Sequence, residues 1–296
     1  MAATAPPPDL PRLAPRDSAA SKRDYGRVVV AGGAAGMAGA PALAAMAALR
    51  SGAGLVELIV PDPIVRIAAG FDPCLMTYGL PAVDGTFAPA AAEAILKRMA
   101  AADSVAVGPG MGRSAPVRDL VLRIWREVAS PAVFDADALW ALAAAPVDVL
   151  REHAGPRVLT PHAGEMLRLV GRDSRGPEAG DRMFLEKAAA EMAAALDALV
   201  VLKGAGTFLA GADHSARNET GNPGMATAGT GDVLTGVVAG LLAQGYDAFA
   251  AARLAAWVHG RAGDVAARDL GQTSMTARDL LDRLHVAFQE VEACSR

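Results

Sequence analysis

Residues 104–134 read Ser-Val-Ala-Val-Gly-Pro-Gly-Met-Gly-Arg-Ser-Ala-Pro-Val-Arg-Asp-Leu-Val-Leu-Arg-Ile-Trp-Arg-Glu-Val-Ala-Ser-Pro-Ala-Val-Phe. Ser104 to Val107 predicts a short strand, stopped by the loop Gly108-Pro109-Gly110-Met111-Gly112. Pro116 to Val128 reads as a helix and Ala132 to Phe134 as a second strand. Strand, crossing helix and strand make a βαβ unit, hence parallel pairing with helices on the sheet faces.

The same alternation extends both ways. Upstream lie a strand at Val28 to Val30 stopped by Gly32 and Gly33, a helix at Ala40 to Leu49, a strand at Leu55 to Val60 ended by Pro61, and a helix at Ala88 to Met99. Downstream come helix Asp137 to Ala144, strand Arg157 to Leu159, helix Glu165 to Val170, helix Ala188 to Ala195 and strand Leu199 to Leu202. Thr207 to Leu209 and His214 to Arg217 are expected to form a hairpin, and the rest is helical over 230–243, 248–268 and 276–291. The expected organisation is an extended Pro-rich tail over residues 1–24 and one α/β domain over 25–296, with a mostly parallel central sheet. In such sheets ligands bind where strand C-terminal ends run into loops.

Composition narrows the field. The chain has 296 residues, 52% hydrophobic, 20% charged and 4% aromatic, and roughly a quarter of it is alanine. It is too apolar for a disordered chain. A net charge of -4 offers no basic footprint for nucleic acid or an anionic membrane. Cys74 and Cys294 lack metal-ligand spacing, no run is long enough to span a membrane, and the N-terminus has no apolar signal region. The expected setting is soluble and cytoplasmic.

Several motifs are excluded. No P-loop, G-x-S-x-G or H-E-x-x-H occurs, and Gly32-Gly33-Ala34-Ala35-Gly36 has the wrong spacing for a dinucleotide fingerprint. The strongest positive signal is Gly221-Asn222-Pro223-Gly224-Met225-Ala226-Thr227-Ala228-Gly229-Thr230-Gly231-Asp232, running straight into an apolar helix. Free amides at a helix start bind anions. An aspartate there would repel phosphate, so it makes sense as a base that takes a proton from an attacking hydroxyl while the amides hold the phosphoryl group. The blander account is that Asp232 only favours the helix dipole. Lys203-Gly204-Ala205-Gly206-Thr207 after a strand suits a phosphate, and the Gly108 to Gly112 loop leaves room for a ligand. In Thr160-Pro161-His162-Ala163-Gly164-Glu165, Thr160 is expected to cap a helix and His162 to face the crevice. Asp135 and Asp137 at a strand end suggest either helix capping or contact with metal or substrate hydroxyls.

Together these loops resemble the ADP- or ATP-dependent NAD(P)H-hydrate dehydratase family, a branch of the ribokinase-like fold. The resemblance covers nearly the whole chain. It also uses Val29-Val30-Ala31-Gly32-Gly33, Ser51-Gly52-Ala53-Gly54-Leu55 and Asp135-Ala136-Asp137-Ala138-Leu139. It implies a metabolite-repair lyase that removes water from hydrated NADH or NADPH at the expense of ADP or ATP, with Mg2+ on the nucleotide phosphates and no protein metal site. The family pattern assigns catalysis to Asp232 with Gly229 and Gly231. It places Lys203, Gly204, Ala205, Gly206, Thr207 and Gly231 on the nucleotide side. Ala40, Gly110, Gly112, His162 and Asp232 fall on the hydrated-cofactor side, with Asp137 and Asn222 as further candidates. It also implies a homo-oligomer, tetramers being common in the family. Ala163, Ala34 and Trp140 depart from the usual Pro, Ser and Asn. About 25 residues before the first strand leave no room for the epimerase domain that many relatives carry, so that activity is not expected here. Two rival readings are a small-molecule kinase of the same fold, for a thiazole or pyrimidine alcohol, and a non-catalytic nucleotide-binding regulator.

Overall fold

Val28, Val29, Val30 and Ala31 are wholly buried, as strand residues covered on both sheet faces must be. They lie near the middle of the sheet in the computed structural model, which describes residues 5–295. In chain order the elements are β1 (Arg27–Ala31), α1 (Gly39–Arg50), β2 (Leu55–Pro61), α2 (Val65–Ala69), β3 (Met76–Leu80), β4 (Ala82–Val83), β5 (Thr86–Phe87) and α3 (Ala92–Met99). Then follow β6 (Ser104–Val107), α4 (Ala115–Glu127), β7 (Ala132–Phe134), α5 (Asp137–Leu142), α6 (Val147–Leu150), β8 (Arg157–Leu159), α7 (Ala163–Leu169) and α8 (Arg182–Leu196). The last are β9 (Leu199–Leu202), β10 (Phe208–Ala210), β11 (Ser215–Arg217), α9 (Thr230–Ala243), α10 (Ala248–Leu270) and α11 (Ala277–Ser295).

Among the described residues nine strands form one sheet in the order β11-β10-β9-β8-β7-β6-β1-β2-β3. Within it, pairing is parallel from β3 through to β9; the β9–β10 and β10–β11 pairs are antiparallel, so β10 alone runs against the other strands. The two-residue period of a strand sends Val28 and Val30 into a core shared with α1, α9, α10 and α11. Val29 and Ala31 point the other way, into a core with α3, α4, α5, α7 and α8. The strand tips of β1, β6, β7, β8 and β9 therefore share one edge, and α9 begins near it.

Some boundaries differ from expectation. β3 was not anticipated: it is a half-buried edge strand containing Gly79, without clean alternation. α8 starts at Arg182, where the Asp181 side chain accepts from Phe184 N at 3.0 Å. The tail is extended up to a 3-10 turn at Lys22–Tyr25, and it is fastened to the body. Asp9 pairs with Arg253, Leu10 is buried with α10 and α11, and the Tyr246 hydroxyl accepts from Ala14 N (2.9 Å). Its first four residues lie outside the described range. No helix among the described residues is long and apolar enough to cross a membrane.

Candidate active site

Asp135 follows β7 directly and is fully buried. A buried carboxylate needs partners, and two elements supply them. Lys203 Nζ, just past β9, donates to Oδ1 at 2.7 Å, and Thr235 Oγ1, in α9, donates to Oδ2 at 2.8 Å. Glu165 of α7 lies 3.8 Å from the same ammonium and accepts from His162 N at 2.9 Å. Burial lowers the proton affinity of Lys203, but Asp135, Glu165 and Asp232 outweigh it and hold the ammonium above its ordinary value. Burial pushes Glu165 upward.

Asp232 opens the first turn of α9, beside this cluster. Its carboxylate has no hydrogen bond or salt bridge among the described residues. A helix N-terminus favours the ionised form. Here that preference loses: burial, and then the charge of Asp135, push Asp232 up to about 7, with Lys203 pulling the other way. The group is therefore poised to exchange a proton near neutral pH. Gly229 precedes it at φ +93°, where a Cβ would meet Leu43 Cδ1 at 2.7 Å and Ala277 Cβ at 2.9 Å. A glycine is required to turn the chain into the helix this close to its neighbours. A Cβ on Gly231 would stand 3.2 Å from Lys203 Nζ, so the first turn of α9 lies directly beside the Lys203 ammonium.

The remaining expected residues divide into groups. Lys203 points into the carboxylate cluster, while the Gly204 to Thr207 turn beyond it is more open. That turn is tied by Thr207 Oγ1 donating to Gly204 O (3.1 Å) and Arg182 donating to Gly206 O (2.7 Å). On the other flank Gly110 lies against Ala40 and Met37, and Gly112 N donates to Asp137 Oδ2 at 2.9 Å. Asp137 also pairs with Arg113 (2.8 Å), so it fastens the glycine loop and does not cap α5. Asp135 and Asp137 diverge because Ala136 between them adopts φ +51°. The helix cap after β8 is His162, not Thr160. His162 Nδ1 accepts from Gly164 N (3.1 Å) and Glu165 N (3.3 Å), while Thr160 is buried against Phe134 O. The His162 side chain remains 60% exposed at the crevice. Asn222 Oδ1 accepts from Gly224 N at 3.0 Å within the glycine-rich segment.

Sequence reasoning missed Asp135, Glu165 and Thr235 as members of the cluster. The aspartate and glutamate stood inside quoted motifs. Thr235 sat in an apolar helix, and only its spacing of three from Asp232 hinted at a shared face. Among the described residues no group of three or more His, Cys, Asp or Glu side chains is arranged to hold a metal ion.

The family model described as NAD(P)H-hydrate dehydratase matches residues 28–285. The chain is 46% identical over 285 residues to a bifunctional NAD(P)H-hydrate repair enzyme of Moorella thermoacetica, covering 96% of this chain and 52% of that protein. It thus spans about half the length of the first curated relatives it matches. An ADP-dependent (S)-NAD(P)H-hydrate dehydratase of Xanthomonas campestris is 35% identical, with 89% of this chain and 90% of that protein aligned. A crystal structure of the ADP/ATP-dependent NAD(P)H-hydrate dehydratase of Bacillus subtilis, co-crystallised with ATP and Mg2+, superposes at TM-score 0.78 with 28% identity and 95% of each chain covered. Ribokinase, at TM-score 0.55 and 15% identity, shares the fold alone. The α/β fold is ribokinase-like, and the chain belongs to the NAD(P)H-hydrate dehydratase family.

Proposed function

We propose that the protein restores NADH or NADPH from the hydrated (S) forms, consuming ADP or ATP. The observation that carries this reading is the unpartnered Asp232 carboxylate, raised to about 7 in the glycine-bounded first turn of α9, which lies beside the Lys203 ammonium. Family membership agrees with it.

Hydroxide leaves poorly at neutral pH, so the hydroxyl must first be made a better leaving group. Asp232 takes the hydroxyl proton as the oxygen bonds to the terminal phosphorus of the nucleotide and the bridging P–O bond breaks. The Gly229 to Gly231 amides, with Lys203 beside them, stabilise the transferring charge. Phosphate then departs as the ring nitrogen lone pair moves in, and loss of a proton from the adjacent carbon restores the reduced nicotinamide. The Lys203 to Thr207 turn serves the nucleotide side; Ala40, Gly110, Gly112 and His162 serve the hydrated cofactor.

Mg2+ belongs with the nucleotide in this reading. Asp135, Glu165 and Asp232 outnumber Lys203 in charge, which suits a divalent ion that arrives on phosphate oxygens and offsets their charge. A homo-oligomer is part of the same proposal, with exposed Met37, Ile67, Phe71 and Val83 as apolar surface for it to bury.

The test is incubation with hydrated NADH or NADPH and ADP or ATP side by side, following the absorbance of the reduced nicotinamide. The wild type recovers absorbance; Asp232→Asn binds nucleotide without turnover. Consumption of nucleotide on a thiazole or pyrimidine alcohol, with no recovered absorbance from the hydrate, would replace the proposal by a kinase.

A further inference from the structure

Residues 221–230, which lead into α9, form a segment anchored at both ends by one helix, α10. Ahead of it, Asn218 Nδ2 donates to Ala256 O (3.1 Å) and Thr220 Oγ1 to Trp257 O (3.0 Å). At its start, Gly221 N and Asn222 Nδ2 donate to the two carboxylate oxygens of Asp264, at 3.1 and 3.0 Å. At its end, His259 Nε2 donates to Thr230 O at 2.8 Å. Burial pushes His259 down to about 4, so the ring is neutral at pH 7 with its one proton on Nε2. Between these anchors a Cβ on Gly263 would collide with the Met225 side chain, and one on Gly260 with Thr220. Two glycines weaken the interior of a helix. In α10 they admit the segment to close contact, and the polar residues beside them meet its backbone.

We propose that α10 positions the phosphoryl-transfer segment: Asp264 fixes its entry at Gly221 and Asn222, and His259 fixes its exit at Thr230. Gly229, Gly231 and Asp232 then meet the reacting group in one geometry. Both residues act through the segment, which makes them positioning residues. The inference rests on the proposed function, because it presumes that this segment transfers the phosphoryl group.

Asp264→Asn sets an amide donor against the Asn222 donor. The double variant Asn222→Asp with Asp264→Asn reverses both partners and restores the donor–acceptor pairing. Measured on each are kcat, KM for ADP and for hydrated NADH, melting temperature, and amide hydrogen exchange of peptide 221–231. The single variant is expected to lose roughly 10- to 100-fold in kcat, with KM for ADP within about threefold and exchange accelerated in that peptide alone. The double variant should recover the protection of peptide 221–231 and the wild-type melting temperature. His259→Leu should behave like the single variant and His259→Gln, which keeps an N–H donor, like the wild type; this pair decides if Asp264→Asn does not fold. Unchanged kcat and exchange in both Asp264→Asn and His259→Leu, or a loss spread over the whole chain that the reversal does not repair, would overturn the proposal. If the wild type never restores reduced nicotinamide, the dehydratase reading fails by itself, and the exchange of peptide 221–231 still decides whether α10 holds the segment.

Discussion

Lys203 Nζ is bonded to Asp135 Oδ1 at 2.7 Å, so the lysine expected to reach for phosphate is committed first to a buried carboxylate. That carboxylate also receives Thr235 from α9. Asp135 thereby links the tips of β7 and β9 to the helix that carries Asp232, and its charge is one reason Asp232 holds its proton so high.

Replacing Asp135 by Asn removes that charge and leaves Lys203 acting on Asp232 with less opposition. The acid limb of the kcat/KM profile should move down by about one pH unit or more. The melting temperature should fall, because a buried ion pair is broken from one side. An unmoved acid limb would show that Asp135 does not act on the base.

Asp232 itself ties activity to a cost in stability. Its folded-state pKa, about 7, lies above the ordinary carboxylate value of the unfolded chain. The folded state therefore holds this proton more tightly, and that stabilisation is complete below about pH 4 and lost as pH rises through about 7. Asp232→Asn should melt higher than wild type at pH 8, by an amount equivalent to roughly 2–4 kcal/mol, and should melt close to wild type at pH 4. Turnover should be abolished throughout. Calorimetry at the two pH values checks the pattern, and a variant no more stable at pH 8 would contradict it.

Gly231→Ala separates chemistry from folding. Its backbone lies in the ordinary helical first turn, where alanine is the better helix former by about 1 kcal/mol. The added methyl would stand 3.2 Å from Lys203 Nζ, inside the space assigned to the phosphoryl group. The expected result is an unchanged or raised melting temperature with kcat/KM reduced about 100-fold or more. Steady-state kinetics beside a thermal melt reads both.

Arg157 gives a prediction at the opposite edge of the sheet. It is 1% exposed and, among the described residues, bonds carbonyls and no carboxylate: Trp125 O at 2.7 Å, Val128 O at 2.5 Å and Ser130 O at 3.3 Å. Burial lowers it to about 10, so it stays charged at pH 8. The guanidinium satisfies the C-terminal carbonyls of α4. Arg157→Met leaves them unpaired, at about 1–3 kcal/mol each. Stability should fall by a few kcal/mol in a denaturant melt, while KM values stay unchanged because the site is at the other end of the strands.

Most of the sheet could be read from short buried runs, because β1, β2, β6 and β7 are bounded by glycine, proline or aspartate, and β8 and β9 have such residues within two positions of each end. β3 escaped because an edge strand is half wet, and Met76-Thr77-Tyr78-Gly79-Leu80 shows neither a continuous apolar run nor alternation. The start of α8 escaped because its first turns are amphipathic and charged, although Asp181 marks the cap. In the site, the glycines and Asp232 were legible because backbone access and a lone acid at a helix start have few other uses. The Asp135 network was not, since it joins β7, β9 and α9 and depends on Ala136 turning one aspartate inward and the other out. Likewise the residue types favour Thr160 as the cap, whereas the backbone carries His162 into that place.

The alanine excess acquires a role at the crossing of α1 and α9. A Cβ on Gly236 would run into the Ala44 carbonyl, and one on Gly240 would meet Ala48 O at 2.8 Å and Ser51 Cβ at 3.0 Å. The two helices approach through main chain, with Ala44, Ala47 and Ala48 of α1 beside these glycines. Such a contact has no long side chains to readjust when something is added. A methyl group at position 236 cannot be absorbed locally; it must displace the whole of α9, and with it the carboxylate at its tip. Residues remote from Asp232 thus determine where its carboxylate sits, and variation in this bland stretch should be tolerated as poorly as variation in the crevice itself.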